Sequence, residues 1–399
     1  SHAHIDHSGR LPLLVNRGFH GPIFATPATR DLCAVMLPDA AHIQEMDFFH
    51  LQKHGKAGPE AAPLYTMADA TRVQDLIVGL PYRRVHHLRK SLSFEFTDAG
   101  HILGSASVDL RVTEGPSHRL VFSGDIGRWD LPIIRDPDPP AGPVDTLIIE
   151  STYAARTHET ISDSNEHLAS IIKRAAERGG KVIVPSFALG RTQEMIYALH
   201  ELHRHQKIPA IPIYVDSPMA VNATEVFRLH PEVFDRQEPM MDLALELFDF
   251  PLVHYIRDSR DSRKLNNLNG PAVIISASGM VEGGRILHHM IHHIGDHRNI
   301  VLFVGYQAEH TLGRRIQRGD EQVKIFGDMF TRRAEIETIG GYSAHADRDE
   351  LRRWVRGLGG PVRRAFVVHG EAEGLQAMAD LLREEGVDQV HIPKMGESF

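Results

Sequence analysis

Cysteine is almost absent from this sequence. The chain has 399 residues and one cysteine, Cys33, within the apolar segment LCAVML. A single thiol cannot form an intramolecular disulfide, and this composition fits a reducing compartment. An apolar neighbourhood is typical of a buried cysteine that acts as a small hydrophobic side chain. We expect this role for Cys33 and not that of a nucleophile.

Long apolar runs are also missing. Segments such as NIVLFVGY are far shorter than the ~20 residues that a membrane helix needs, and no signal-peptide pattern precedes them. We therefore expect a cytoplasmic protein with no membrane partner. The chain also lacks an initiator methionine and begins inside a motif, so we expect the natural protein to extend upstream and the first strands of its fold to be absent here.

Positive charge is in deficit. Lys and Arg number 44 against 52 Asp and Glu, which gives a formal charge of -8 and a pI of about 6.4. This balance argues against a uniformly basic coat for nucleic acid, but it allows a local basic groove on an acidic body. Apolar residues make up 42% of the chain, enough for a large core, and the length predicts two domains.

The pattern of elements divides the chain into three segments. Residues 1–157 combine early helices with several consecutive strands, which predicts a sheet packed against helices. Helices are expected there at 29–43 and 69–80. Residues 158–336 alternate strand and helix, as expected of a parallel sheet, and residues 337–399 return to a loop, a strand and helices. We expect an α/β fold in which residues 158–336 form a separate domain.

The first residues concentrate potential metal ligands. The segment HAHIDH supplies His2, His4, Asp6 and His7. Further ligand-type residues follow predicted strands, namely His101, Asp125 and His369. Taken singly, each of these last three has an exposed or structural role as an equal alternative. Imidazoles and carboxylates suit Zn²⁺, and an extended HAHIDH turn can serve two neighbouring ions ~3.5–4 Å apart with an acid between them.

The order of the motifs resembles that of a known family. HxHxDH at residues 2–7 is the hallmark of the metallo-β-lactamase superfamily. Glu150 in LIIESTY, a long insertion, His345 in YSAH and His369 in VHGE are similar to the motifs of its β-CASP branch of nucleases. The resemblance covers essentially the whole chain. It implies an αββα sandwich, with its first strands missing, and an inserted parallel-sheet β-CASP domain.

The resemblance also implies two Zn²⁺ ions, with Mn²⁺ as an alternative because the same ligand types accept it. The implied ligands are His2, His4 and His101 for one ion, Asp6, His7 and His369 for the other, and Asp125 as a bridge. The implied catalytic residues are Asp6, Glu150 and His345. We expect the ions to activate water, His345 to protonate the leaving 3′-oxygen, and Glu150 to support His345.

The insertion offers a second, weaker signal in SASGMVEGGRILHH. Its loop is expected to contact substrate phosphates through Ser278, Gly279, Gly283, Gly284 and Arg285. Arg191 in PSFALGRTQE is a weaker case, for which capping and packing are the alternative. The HHMIHH histidines stand at i,i+4 spacing without an obvious third ligand, so we expect a solvated helix face. Basic pairs such as Arg332-Arg333 leave an RNA channel and an exposed face as open alternatives.

The expected function is that of a zinc-dependent ribonuclease that hydrolyses single-stranded RNA, with endonucleolytic cleavage favoured. RNA is preferred to DNA because His369 occupies the final motif, where DNA-repair relatives carry an apolar residue. The chain looks closer to RNA-metabolising or mRNA 3′-end-processing-like enzymes than to ribonuclease J, since it ends soon after His369. The alternatives are a thioesterase or lactonase of the same superfamily and a non-catalytic RNA-binding scaffold. The oligomeric state is open, with a homodimer as one alternative.

Overall fold

The computed structural model describes residues 1–56, 58, 61–234 and 247–399. They form two compact units. Unit 1 contains residues 1–157 and 345–399 with a short segment around residue 232, and unit 2 contains most of the chain between His158 and Ala344. Among the described residues, no helix combines the length and apolarity needed to cross a membrane.

Helices and strands are numbered in chain order. The described helices are α1 (Ile5–Ser8), α2 (Leu11–Asn16), α3 (Pro27–Lys53), α4 (Met67–Leu76), α5 (Ile161–Glu177), α6 (Arg191–Arg204), α7 (Pro218–Leu229), α8 (Ser259–Leu265), α9 (Arg285–His293), α10 (Leu312–Gln317), α11 (Arg348–Gly357) and α12 (Ala372–Glu384). The described strands are β1 (Ile23–Ala25), β2 (Ile77–Gly79), β3 (His86–Arg89), β4 (Leu92–Asp98), β5 (Ala106–Val112), β6 (His118–Phe122), β7 (Val144–Ile149), β8 (Lys181–Pro185), β9 (Ile213–Val215), β10 (Val253–Tyr255), β11 (Ala272–Ser276), β12 (Ile300–Phe303), β13 (Gln322–Ile325), β14 (Asp328–Thr331), β15 (Glu335–Thr338), β16 (Val362–Val367) and β17 (Gln389–His391).

Seven strands form the main sheet of unit 1, in the order β17-β16-β7-β6-β5-β4-β3. The pairs from β17 to β6 are parallel, and those from β6 to β3 are antiparallel. Strands β4, β6, β7 and β16 therefore run in the same direction. Their carboxyl ends lie at one edge of the sheet. The core beside this sheet is filled by α11 and α12, with Trp354 fully buried against residues such as Leu147 and Val367.

Unit 2 is built on a parallel sheet of six strands in the order β10-β9-β11-β8-β12-β15. Every residue of β8, β11 and β12 is buried. Such continuous apolar runs are typical of parallel strands that are covered on both faces. The α/β alternation predicted for this part of the chain is therefore confirmed.

Helix α3 is longer than predicted. It begins at Pro27 and ends at Lys53, whereas the sequence predicted 29–43. The Thr26 side chain caps it by accepting the N–H of Thr29, and proline is well tolerated in the first turn. The buried face of α3, which includes Cys33, stops at Ala41, so the apolar periodicity ends well before the helix does. The burial predicted for Cys33 is confirmed.

Two further local predictions need correction. The helix predicted at 69–80 ends at Leu76, because Ile77–Gly79 form β2 and pair in parallel with β1. Strand β3 was not predicted, since its sequence HHLR is exposed at every position after the first and carries no apolar alternation. Both elements are short and lie where the local pattern contains little information.

Candidate metal centre

The predicted ligands of unit 1 follow strands that share one sheet edge. His101 lies in the loop after β4, Asp125 follows β6, Glu150 follows β7, and His369 follows β16. Since these four strands run in the same direction, the loops after them are neighbours. The fold thereby brings together side chains that lie far apart in the sequence.

The HAHIDH segment reaches the same loops, but not as the extended turn that we predicted. Residues Ile5–Ser8 form helix α1, in which the N–H groups of His7 and Ser8 donate to the His4 carbonyl over 3.1 and 2.9 Å. Ser8 Oγ donates to the same carbonyl over 3.0 Å. These three hydrogen bonds to the His4 carbonyl stabilise a helical turn, and the segment is therefore helical where an extended turn was predicted.

A first ligand group comprises His2, His4, His101 and Asp125. His2 Nε2 lies 3.0 Å from His4 Nδ1 and 3.5 Å from Asp125 Oδ2. His101 Nε2 lies 3.4 Å from His4 Nδ1 and 3.7 Å from Asp125 Oδ2. A tetrahedral Zn²⁺ with ligands at ~2.0–2.1 Å holds them roughly 3.3 Å apart, so this spacing suits such an ion.

A second group comprises Asp6, His7 and His369. Asp6 Oδ2 lies 3.3 Å from His369 Nε2 and 3.8 Å from His7 Nε2. This group is more accessible than the first, since the Asp6 side chain is 62% exposed. Asp125 Oδ1 lies 3.3 Å from His7 Nε2, while its other oxygen faces the first group. Asp125 therefore stands between the groups, where a bridging carboxylate is expected.

Two ligand atoms, Nε2 of His7 and Oδ1 of Asp125, are buried and have no other hydrogen-bond partner within the described part of the chain. His4 faces the first group through Nδ1, and its Nε2 is also buried without a hydrogen-bond partner there. Burial lowers the pKa of His4 to about 4 and the pKa of His2 well below its usual value. Both imidazoles are therefore neutral near pH 7, the form that binds metal. The residues present fit a divalent cation in each group.

Glu150 and His345 form a pair beside the first group. His345 Nδ1 lies 3.2 Å from both oxygens of Glu150, and its ring centre is 4.4 Å from that of His101. Glu150 is buried, and its oxygens also accept the N–H groups of Ile126 at 2.6 Å and Thr152 at 3.2 Å. Burial lowers the pKa of His345, but the Glu150 carboxylate outweighs this effect and raises that pKa above its usual value. The pair can hold a proton on His345.

Sequence reasoning missed Thr152 as a part of this site. Its Oγ1 lies 3.1 Å from Nδ1 of His369, so it helps to orient the ring whose Nε2 faces Asp6. His369 itself has a φ of 52°, in the left-handed region that residues other than glycine rarely adopt. The position of Thr152 two residues after Glu150, in ESTY, is the sequence signal that could have indicated it.

The predicted substrate loop lies in unit 2, between β11 and α9. Gly283 has open space where a Cβ would stand, whereas a Cβ at Gly279 would lie 2.9 Å from the Phe187 ring. The Arg285 guanidinium donates to Asp216 Oδ1 over 2.7 Å and to the Ile256 and Arg257 carbonyls over 3.2 and 2.6 Å. The predicted phosphate contact of Arg285 stays a prediction, but it would have to replace these bonds. The phosphate contacts predicted for Ser278, Gly279, Gly283 and Gly284 also stay predictions.

The solvated face predicted for the HHMIHH helix is wrong for two of its histidines. His289 and His293 are buried, and only His288 and His292 are exposed. His289 Nε2 lies 2.7 Å from Asp216 Oδ2. Spacing of i,i+4 groups the histidines by face but does not reveal which face meets the core.

Comparison with known proteins places these observations in a family. The chain matches the Beta-Casp domain over residues 192–316 and the Zn-dependent metallo-hydrolase RNA specificity domain over residues 330–393. It is 35% identical over 407 residues to Ribonuclease TTHA0252 of Thermus thermophilus, an alignment that covers 100% of the chain and 86% of that protein.

Archaeal proteins are similar as well. The chain is 32% identical over 392 residues to the transcription termination factor FttA of Methanosarcina mazei and 34% identical over 382 residues to FttA of Thermococcus kodakarensis. These alignments cover 95% and 93% of the chain but only 59% and 57% of the relatives, so the chain spans less than two thirds of each FttA.

The matched domains confirm the family and the fold class that the motif order predicted. The seven-stranded sheet of unit 1 and the parallel sheet of unit 2 agree with a metallo-β-lactamase fold that carries a β-CASP insertion. The chain belongs to the β-CASP branch of the metallo-β-lactamase superfamily and is a metal-dependent hydrolase of its RNA-metabolising, ribonuclease-containing group.

Proposed function

We propose that this chain is a zinc-dependent ribonuclease that cuts phosphodiester bonds within single-stranded RNA. One observation carries the proposal: two ligand groups meet at Asp125, and the Glu150–His345 pair lies beside them. Sites for two neighbouring cations are used for in-line displacement at phosphorus. The 35% sequence identity with a protein named as a ribonuclease supports RNA as the substrate.

The residues of the chain have separate roles in this proposal. Two Zn²⁺ ions, or Mn²⁺ in their place, would lower the pKa of water and neutralise charge on the attacked phosphate. His345, whose pKa is raised, keeps a proton near neutral pH and donates it from Nε2 to the leaving 3′-oxygen. Glu150 accepts the hydrogen bond of Nδ1–H and thereby fixes the ring and its tautomer. Asp6, whose carboxylate is exposed, would accept a proton from the attacking water.

The test is cleavage of 5′-labelled single-stranded RNA, beside the matching DNA strand, by protein of measured zinc content. We expect internal cuts in RNA only, and a loss of roughly 10²–10⁴-fold in His345→Ala with the zinc content unchanged, because general acid catalysis contributes about that much. The matched control is His297→Ala, which removes an imidazole that is 83% exposed, and this variant should cleave normally.

Other outcomes would each point to a different function. A product ladder that starts at one RNA end would replace internal cleavage with exonuclease action. Two bound ions without cleavage of either strand would remove the nuclease proposal and favour thioesters and lactones as substrates. RNA binding with almost no metal would favour a non-catalytic scaffold.

A further inference from the structure

A basic strip borders the loops of the candidate metal centre in unit 1. The strip is residues 83–90, which contain four Lys and Arg and no acidic residue. It includes β3, the edge strand of the main sheet, which pairs only with β4. Most of its side chains are exposed, including the apolar Val85 at 47% and Leu88 at 42%. The strip is therefore a locally positive surface on a chain whose formal net charge is -8.

Most of the positive charge on this strip is uncompensated. Arg83 forms a bidentate ion pair with Asp138. The side chains of Arg84, Arg89 and Lys90 are exposed and have no ion-pair or hydrogen-bond partner among the described residues. Two further acids lie near the strip: Glu95 of β4 is close enough to raise the pKa of Arg83 and Arg111, and Glu114, just after β5, accepts a hydrogen bond from Ser91.

Basic pairs elsewhere in the chain differ from this strip because they are at least partly engaged within the protein. Arg352 pairs with Glu384 and Glu385. Arg332 donates to three backbone carbonyls. Arg353 lies over the Trp129 ring, 4.6 Å from its centre. Each such pair leaves at most one cation to solvent, whereas the strip presents three exposed cations within seven residues.

The strip begins next to a predicted metal ligand. The Arg83 N–H donates to the Phe96 carbonyl, near the carboxyl end of β4, over 2.8 Å. The preceding residue, Tyr82, donates from Oη to the Ser105 carbonyl over 2.8 Å, and Ser105 Oγ accepts the N–H of His101 over 3.0 Å. From this point the strip continues into β3, which is antiparallel to β4 and therefore runs along the sheet edge away from the metal loops.

We propose that residues 83–90 bind the backbone of the RNA strand that runs to or from the metal centre. Arg84, Arg89 and Lys90 neutralise successive phosphates, and Val85 and Leu88 offer apolar contact to riboses or bases. RNA is the expected ligand because a polyanion binds basic surface and is repelled by the acidic remainder of the protein. The strip also ends at the loop that carries the predicted ligand His101. The inference rests on the proposed function, since it assigns a track to the same substrate.

A charged edge strand also has a simpler explanation, which is protection against pairing with the edge of another molecule. The two explanations predict different results for the triple variant Arg84→Gln, Arg89→Gln, Lys90→Gln. The matched control is Lys53→Gln, Lys56→Gln, Lys394→Gln, which removes the same charge from exposed positions elsewhere in unit 1. Both variants change exposed side chains only, and circular dichroism and melting would verify their folding.

The experiment measures fluorescence anisotropy of an RNA of about 20 nucleotides against salt, together with kcat/KM for this RNA and for one of about six nucleotides. We expect the strip variant to bind the long RNA at least tenfold more weakly and to lose about two from the slope of log K against log salt, at ~0.7 per phosphate. Its ratio of long- to short-RNA kcat/KM should fall, while the control variant keeps wild-type values.

Unchanged affinity and slope in the strip variant would overturn the track, and a change in its oligomeric state alone would establish edge protection instead. Failure of the proposed function is distinguishable from failure of the track. Wild-type protein that binds RNA without cutting it would refute the ribonuclease activity. The anisotropy measurements on the strip variant and its control would still show whether residues 83–90 bind RNA. Wild-type protein that does not bind the long RNA would refute both.

Discussion

At the scale of single residues, Asp125 belongs to the first ligand group and also contacts two histidines of the second. Its Oδ2 lies 3.5 Å from His2 Nε2 and 3.7 Å from His101 Nε2, while its Oδ1 lies 3.3 Å from His7 Nε2 and 3.6 Å from His369 Nδ1. A carboxylate in that position lowers the repulsion between two cations and orients the imidazoles around it. Both proposed sites therefore depend on it.

We expect Asp125→Ala to lower zinc binding at both sites, whereas His101→Ala should lower it at the first site only. The reason is that His101 is a member of the first group, where its Nε2 lies 3.4 Å from His4 Nδ1. Metal content by mass spectrometry, after dialysis of both variants against the same free zinc, measures the difference. Equal losses in the two variants would contradict a shared role for Asp125.

Protons should compete more strongly with a cation at the second group. The hydrogen bond with Asp6 raises the pKa of His369 to about 9, whereas burial lowers the pKa of His4 to about 4. Below pH 9 a bound cation has to displace the proton of His369, so affinity should rise about tenfold per pH unit until that pH is reached. His4 has already lost its proton well below neutrality and adds no such dependence.

Calorimetric titration of metal-free protein with zinc, at a weakly acidic and a weakly alkaline pH, would measure both affinities. Only the weaker of the two zinc-binding events should gain affinity as the pH is raised. If both events changed in parallel, the raised pKa of His369 would not govern the second site.

Histidine shows how far single residues can be predicted from sequence. His101 was predicted as a ligand because it follows a predicted strand and because the resemblance, which rests on the order of motifs, assigned it to the first ion. His289 was predicted to be solvated, yet it is buried next to Asp216, 73 residues away in the chain. Short-range spacing contains no information about such a distant partner, whereas a motif order reflects a fold that has already brought its members together.

At the scale of elements, Asp216 ties together three parts of unit 2. It follows β9 and is fully buried. Its Oδ2 accepts a hydrogen bond from Ser262 of α8 over 2.6 Å and lies 2.7 Å from His289 of α9, and its Oδ1 accepts from Arg285 over 2.7 Å. Burial raises the pKa of Asp216, but these partners outweigh burial and lower it below its usual value.

We expect Asp216→Ala to reduce the free energy of unfolding by about 3–5 kcal/mol, because it leaves buried polar groups and a cation without their acceptor. The control is Asp296→Ala, which breaks a more exposed pair with Arg298 and should lose about 1 kcal/mol or less. Urea unfolding at neutral pH measures both. Similar losses in the two variants would show that the Asp216 network contributes no more than a surface pair.

Elements were predictable where burial imposes a pattern. Strands β8, β11 and β12 are continuous apolar runs, and β4 to β7 are separated by glycine and polar turns. The second half of α3 was missed because it is largely solvent-exposed and has no buried face after Ala41. Strand β2 was missed because three residues are too few to establish a period.

At the scale of the whole molecule, the candidate centre joins distant parts of the chain. Asp6 and His369 are 363 positions apart, and His4 and His101 are 97 positions apart. Cross-links between such distant positions remove more conformational freedom from the unfolded chain than local ones do. Bound metal should therefore contribute to the stability of unit 1.

We expect chelation to lower the melting temperature of unit 1 and added zinc to restore it. Free zinc at 100 times its Kd should add about 2.7 kcal/mol if the unfolded chain does not bind it. Differential scanning calorimetry with and without chelator measures this effect. The transition of unit 2, which holds none of the predicted ligands, should stay in place, and an equal shift of both transitions would contradict the assignment of the site to unit 1.

The division into units was predicted from the change in the pattern of elements along the chain. Composition gives only an expectation of two domains for this length. The consecutive strands before residue 157 and the regular alternation of strand and helix over 158–336 set the predicted boundaries at 157/158 and 336/337. The compact units change at His158 and at His345, so residues 337–344 lie in unit 2 and not in the returning part of the first domain.

The burial of Cys33 in α3 has a practical consequence for labelling. It is the single cysteine of the chain, it is 2% exposed, and burial raises the pKa of its thiol to about 11. Thiol reagents such as maleimides react with the thiolate, which is the nucleophile and is scarce and inaccessible at this position at neutral pH. A cysteine introduced at an exposed position, as in Lys394→Cys, will therefore take up one maleimide dye per chain without removal of the native thiol.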